Sequence, residues 1–143
     1  MIEVSEIRKR VRRRIAEARR AAEARRQAAE AAARDYERFL SRIAVPLCRR
    51  VAAVLTAEGY PFKVFTPAGG VRLASETSRH DFIELELDTE LTPPQVIGRV
   101  NRARGGRVVT IERPVRENAP VADLTEADLL EFLLAEIGPF VER

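Results

Sequence analysis

The chain has 143 residues, a formal net charge of +3 and a single cysteine. This length predicts one domain with an appendage rather than two domains. The lone cysteine excludes an intrachain disulfide bond and is typical of a reducing compartment. Because no apolar stretch of about 18 residues, secretory signal or transit peptide is evident, we expect a cytoplasmic protein with no membrane span. The composition, rich in arginine and alanine, indicates a GC-rich bacterial genome.

Positive charge is concentrated in the first part of the chain. Residues 1–58 contain 15 Lys or Arg and 8 Asp or Glu, whereas residues 59–143 contain 10 and 14. The corresponding net charges are +7 and −4. Attraction between the two parts, within one copy or between copies, would weaken as salt is added.

Residues 1–58 predict one very long helix, because alanine, arginine and glutamate dominate this glycine-free segment and Pro46 is its only proline. Apolar residues recur along it at a mean spacing of about 3.6 residues, which indicates a stripe on one face. At about 1.5 Å per residue the helix would reach roughly 80 Å, too long for a small globular domain to cover. We expect a kink or break at residues 41–45, where Pro46 would clash with the carbonyl of Arg42.

The first part of this stripe predicts self-association, with residues 1–42 forming a projecting basic arm. Beyond Tyr36 the stripe carries larger side chains, including Val51, Val54 and Leu55, so we expect the later part of the helix to pack on its own domain. The predicted contact residues are Val4, Ile7, Val11, Ile15, Ala18, Ala22, Ala29, Ala33, Tyr36 and Leu40. Two alternatives remain open: docking on a different protein, or a solitary arm held by ion pairs four residues apart, such as Arg26 with Glu30. The orientation of paired helices also remains open.

Residues 43–143 predict a small domain, which gives the chain an α+β fold class. Alternating segments separated by turn residues predict about five antiparallel strands in a meander. The predicted strands are residues 62–66, 71–75, 82–88, 95–102 and 107–113. The end of the long helix at 46–58 and a C-terminal helix at 126–137, which begins with a capping box at Thr125, are expected to cover one face of the sheet.

No residue pattern indicates catalysis. His80 lies in the run 78–81 (SRHD), but members of a catalytic triad converge from distant segments, so a polar loop is the better interpretation. Cys48 is predicted to be buried and inert, although adjacent arginines can lower the pKa of a thiol. With one histidine and one cysteine, no zinc site and no cofactor are expected.

Two further features are interpreted as structural. The glycine pairs at 69–70 and 105–106 precede no helix, so they predict hairpin turns rather than phosphate-binding loops. Glu84 and Glu86 lie on one face of a strand and predict cross-strand ion pairs with arginines rather than a catalytic carboxylate pair. A pocket for a small molecule near Phe65, Phe82 and Phe132 is neither supported nor excluded.

The favoured hypothesis is a non-enzymatic assembly or adaptor protein. It would form a homodimer or higher homo-oligomer through the long helix and present its sheet domain to an unknown protein partner. The alternative is a sequence-nonspecific nucleic-acid-binding protein, because arginine-rich runs neutralise phosphates. Its contact residues would be Arg8, Lys9, Arg10, Arg12, Arg13, Arg14, Arg19 and Arg20. Interleaved acidic residues and the absence of aromatic residues before Tyr36 argue against this alternative.

Overall fold

The structure, a computed structural model, describes residues 1–142. It contains a long N-terminal helix, a five-stranded antiparallel sheet and a C-terminal helix, so the predicted α+β class is confirmed. The helices are α1 (Val4–Phe39), α2 (Val45–Ala57) and α3 (Glu126–Glu136), with a π-helical turn at Leu40–Ala44 and 3-10 turns at Val121–Asp123 and Gly138–Phe140. The strands are β1 (Phe62–Phe65), β2 (Val71–Ser75), β3 (Phe82–Asp88), β4 (Gln95–Arg104) and β5 (Arg107–Pro114).

The helix passes through Pro46 without ending. The N–H of Val45 donates to the carbonyl of Leu40, five residues back, which is the hydrogen bond of a π turn. This wider turn lies directly before the proline and accommodates its missing N–H. The disturbance predicted at residues 41–45 is therefore a π turn and not a break.

The π turn also changes which residues of α2 face the sheet. An extra residue in the turn rotates every later side chain about the helix axis. Val54, which the sequence pattern placed on the apolar stripe, is 62% exposed, whereas Leu55 is 7% exposed. The prediction for Val54 was therefore wrong, because the pattern assumed an uninterrupted α-helix.

The sheet is a simple meander with neighbours in sequence order. Each strand begins and ends within two residues of its predicted bounds. In the antiparallel register Ile83 lies opposite Val100, and Leu85 lies opposite Gly98. These residues share one apolar face with Val71, Leu73 and Val96, and strand alternation places Glu84 and Glu86 on the other face.

Two helices cover the apolar face. α2 packs on β1 and β2, and α3 places the ring of Phe132 over Gly98 of β4. A Cβ atom added at Gly98 would lie 2.2 Å from that ring, which explains a glycine in the middle of a strand. Thr125 begins α3 with a reciprocal capping box, in which its hydroxyl accepts from the N–H of Asp128 and the Asp128 carboxylate accepts from the N–H of Thr125.

The long helix runs along β1 and β2 before it leaves the body. Near one end of the sheet the hydroxyl of Thr56 accepts from the N–H of Phe62, at the start of β1. At the other end the Tyr36 hydroxyl is directed at the carbonyls of Gly69 and Leu85, 2.9 and 3.2 Å away. Burial, and secondarily the nearby Glu84 carboxylate, raises the pKa of Tyr36 above its ordinary value. This hydroxyl therefore stays protonated and keeps donating.

Candidate functional site

Exposed large apolar side chains recur along the first part of α1. Ala32 is the first buried residue, so the helix leaves the body ten residues before the predicted boundary at residue 42. We define the arm as residues 4–31, of which none is buried. At about 1.5 Å per residue this segment is about 42 Å long.

Four large apolar side chains lie along one face of the arm. Val4, Ile7, Val11 and Ile15 are 69%, 48%, 51% and 45% exposed. Their spacing of three and four residues places them on a continuous stripe. Ala18, Ala22, Ala29 and Ala33 extend this stripe towards the body, with one interruption at Arg26. The eight predicted contact residues from Val4 to Ala33 thus lie on a surface that the described part of the chain leaves uncovered.

Tyr36 and Leu40, the last two predicted contact residues, face the body and not the uncovered surface of the arm. Tyr36 is 5% exposed and hydrogen-bonded to the carbonyls of Gly69 and Leu85, while Leu40 packs against the hydrophobic core. The apolar stripe continues into the body without a change of period. Sequence periodicity therefore could not distinguish its uncovered part from its covered part.

The basic run of the arm is exposed and mostly without acidic partners. Of the eight predicted nucleic-acid contacts, only Arg10 forms an ion pair within residues 1–142, with Glu6 at 3.1 Å. Arg26 pairs with Glu23, three residues before it, rather than with Glu30 as predicted. Such exposed pairs contribute little to stability because water and salt screen them. The positive charge of the arm therefore remains largely unneutralised.

The loop that contains His80 is held by its backbone and by Asp81. The Asp81 carboxylate accepts from the N–H of Ala103 at 2.9 Å, and the Asn101 side-chain amide donates to the carbonyl of His80 at 2.7 Å. The His80 residue itself is exposed. These contacts fasten the loop to β4, so the loop has a structural role and shows no triad geometry.

Cys48 is buried, as predicted. It is 2% exposed, and burial raises the pKa of its thiol to about 12. Arg49 and Arg50 are exposed, and Arg50 pairs with Glu126 at 2.7 Å. Because the thiol is protonated at neutral pH, Cys48 is not an activated nucleophile.

The outer face of the sheet carries the cross-strand ion pairs that were predicted. Glu84, 6% exposed, pairs with Arg72 at 3.0 Å and with Arg99 at 3.3 Å. The Arg72 guanidinium also lies 4.0 Å over the ring of Phe82. Phe65 and Phe82 share this face, whereas Phe132 covers the opposite one. Strand alternation therefore rules out a pocket formed by these three phenylalanines.

The cations of the body fall into two groups. Within residues 59–142, five basic side chains form ion pairs: Lys63, Arg72, Arg99, Arg113 and Arg116. The other four, Arg79, Arg102, Arg104 and Arg107, form none with the described residues. Sequence reasoning missed this second group. The sequence feature that could have indicated this group is the position of Arg102, Arg104 and Arg107 on both sides of a two-residue glycine turn.

No cluster of three or more His, Cys, Asp or Glu side chains suited to holding a metal ion occurs in residues 1–142. None of the helices in this part of the chain combines the length and apolar character needed to cross a bilayer. Comparison of the chain with protein-family models, with curated proteins and with solved structures gives no significant match.

Proposed function

We propose that the chain is a non-enzymatic assembly protein that pairs with a second copy of itself through the arm. The paired arms would hold two sheet bodies for a protein partner. The observation that carries this proposal is the stripe of Val4, Ile7, Val11 and Ile15, each about half exposed or more, on a helix that projects from the body. A helix without tertiary packing is marginally stable in water, so covering this stripe would stabilise the arm itself.

The distribution of side-chain sizes along the arm favours a second copy as the partner. The stripe has large residues in its first half and alanines in its second half. If two arms lie antiparallel and are centred on residues 18–19, Val4 lies opposite Ala33 and Ile15 lies opposite Ala22. At these two positions a large side chain meets a small one. In the same register Ile7 lies opposite Glu30, and Val11 lies opposite Arg26.

The charges that flank the stripe favour the same antiparallel arrangement. Arg8 and Arg12 lie on the same side of the stripe as Glu23 and Glu30, as the helical period requires. Antiparallel pairing brings the arginines of one copy beside the glutamates of the other. Parallel pairing would instead bring the two basic runs side by side, where like charges repel.

Light scattering of the full chain tests self-association. The expected mass is about twice the 16.1 kDa of one chain at high concentration, falling towards one chain on dilution. A mass of one chain at every concentration would refute the proposal. Orientation is tested by mixing a Val4→Cys chain with an Ala33→Cys chain under oxidising conditions. Mixed disulfides indicate antiparallel arms, whereas disulfides within each variant alone indicate parallel arms.

A second candidate function is sequence-nonspecific nucleic-acid binding by the arm. It is favoured by the exposure of Arg8–Arg14 and by the single ion pair that this run forms within residues 1–142. Replacing Arg8, Lys9, Arg10, Arg12, Arg13 and Arg14 by glutamine should then abolish duplex binding and its salt dependence. Unchanged binding by this variant would exclude the arm as the contact.

A further inference from the structure

The β4–β5 hairpin ends in an arginine cluster that the proposed pairing of arms does not use. Its two-residue turn consists of Gly105 and Gly106, with φ of 53° and 81°, as a tight hairpin requires. Arg104 lies directly opposite Arg107, and Arg102 lies opposite Val109. Residues opposite one another share a face, as do residues two apart on one strand. Arg102, Arg104 and Arg107 therefore lie on the same face of the hairpin.

This arrangement is unfavourable for the folded chain alone. Two like charges directly across an antiparallel pair, about 5.5 Å apart at Cα, destabilise the hairpin. Residues 59–142 contain acidic partners for five other cations but provide none for these three. The Nε atom of Arg102, like that of the ion-paired Arg99, is buried and has no hydrogen-bond partner in the described part of the chain. An unfavourable arrangement of like charges that no other group of the chain compensates is typical of a functional site.

The cluster is held in place by the body. Asp81, 3% exposed, accepts from the N–H of Ala103. Asn101 donates to the carbonyl of His80 and accepts from the hydroxyl of Thr110 on β5, so both strands and the preceding loop are joined. The same loop carries Arg79 to this end of the sheet. Because these contacts exist in the free chain, a ligand would meet a largely preorganised surface.

We propose that this end of the β4–β5 hairpin binds the phosphate backbone of a nucleic-acid duplex. The planar guanidinium groups of arginine suit bidentate binding of phosphate. A two-stranded ribbon also fits the major groove of B-form DNA, which is about 12 Å wide. No base contact is required, so the binding is expected to be sequence-independent and salt-dependent.

Other anionic partners fit the cluster less well. Residues 102–109 contain no aromatic side chain, so they lack the stacking surface that single-stranded nucleic acids use. Their larger apolar side chains are Val108, which is 49% exposed, and Val109. They therefore lack the Trp, Phe and Leu side chains typical of membrane-surface contacts. Within residues 102–109, Val109 is the only apolar side chain on the charged face, so this face lacks the apolar and aromatic core on which protein interfaces centre.

The test is fluorescence anisotropy of a labelled 15-base-pair duplex, roughly one and a half helical turns, with the full chain across a salt series. The test variant is Arg104→Gln/Arg107→Gln. The matched control is Arg42→Gln/Arg49→Gln, which removes the same charge from two exposed arginines of the long helix that have no ion pair within residues 1–142. Losing two phosphate contacts should lower the salt slope by about 1.8 and the affinity at 0.1 M salt by about 60-fold.

Three outcomes decide the proposal. Selective loss in the hairpin variant, with binding restored by Arg104→Lys/Arg107→Lys, supports it. Equal loss in the hairpin variant and the matched control would mean that only overall charge matters, and would overturn it. Absence of duplex binding by the unmodified chain at low salt would also overturn it. The hairpin variant should keep the unmodified chain's light-scattering mass, so failure here is distinguishable from failure of arm pairing.

Discussion

Replacing Ile7 and Ile15 by alanine should weaken self-association without unfolding the chain. The two side chains are 48% and 45% exposed in a single copy, so about half of each is available for burial by a partner. Each substitution removes three carbon atoms, and a buried methylene contributes about 0.8 kcal/mol. Over two copies the free energy of dimerisation should become less favourable by about 2–5 kcal/mol. The lower value allows for incomplete burial of the side chains in the dimer.

That loss corresponds to an increase in the dimer Kd of about 30- to 4,000-fold, since 1.4 kcal/mol is about tenfold. Sedimentation equilibrium over a dilution series measures it directly. Alanine is the best helix former, so the substitutions should not lower helix propensity in the arm. The control is Val54→Ala, which removes an apolar side chain that is 62% exposed on α2, outside the arm. A Kd that rises equally in both variants, or stays constant in both, would refute the assignment of the stripe as the contact.

Four further outcomes test the body. Gly98→Ala should lower the free energy of unfolding in urea by about 1–3 kcal/mol through overpacking, whereas Gly138→Ala, which has no atom within 4 Å of the added Cβ, should not show this loss. Thr125→Ala should cost about 1 kcal/mol of stability. The backbone N–H of Thr125 helps to lower the pKa of Asp128 below its ordinary value of 3.8 in the folded chain. The stability that this carboxylate contributes is therefore present above pH 3.8 and is lost as the pH falls. Urea unfolding at a series of acid pH values measures this loss. Cys48 should resist a thiol reagent at pH 8 until urea unfolds the chain, because its folded pKa is about 12.

The sequence predicts the fold well because its local patterns agree with the tertiary structure. β3 alternates strictly, and glycine or proline residues separate several of the segments, so the five strands and their order follow from periodicity. The side of α2 that meets the sheet could not be predicted. It depends on the π turn before Pro46, which rotates Leu55 inward and Val54 outward. A fixed period of 3.6 residues cannot represent such a turn.

The arginine cluster depends on information that a local pattern does not contain. Arg113 is neutralised by Glu136, and Arg116 by Asp128, both from a helix distant in sequence. Arg104 and Arg107 have no such partner within residues 1–142. Sequence reasoning identified the turn between them correctly as a hairpin. The register of β4 with β5 and the full set of ion pairs are needed to tell the arginines without an acidic partner from those that have one.

The arm and the hairpin lie at opposite ends of the body. The long helix runs from Thr56, beside the start of β1, to Tyr36, beside Gly69, and the arm continues beyond it. The hairpin projects past Ala103, which is fastened to Asp81 at the start of β3. Because the surfaces do not overlap, pairing of two arms would leave both hairpins free.

A chain paired through its arms would therefore bind a long duplex with two hairpins. Antiparallel arms that overlap over about 45 Å would separate the two hairpins by roughly 100 Å, or about 30 base pairs at 3.4 Å each. Affinity for a 60-base-pair duplex should then exceed that for a 15-base-pair duplex by about 100-fold, because the second contact becomes intramolecular. Ile7→Ala/Ile15→Ala should remove this advantage while leaving the 15-base-pair affinity unchanged. If this variant still binds the 60-base-pair duplex more tightly than the 15-base-pair duplex, the longer duplex acts only by offering more binding sites. The arm and the hairpin would then not cooperate.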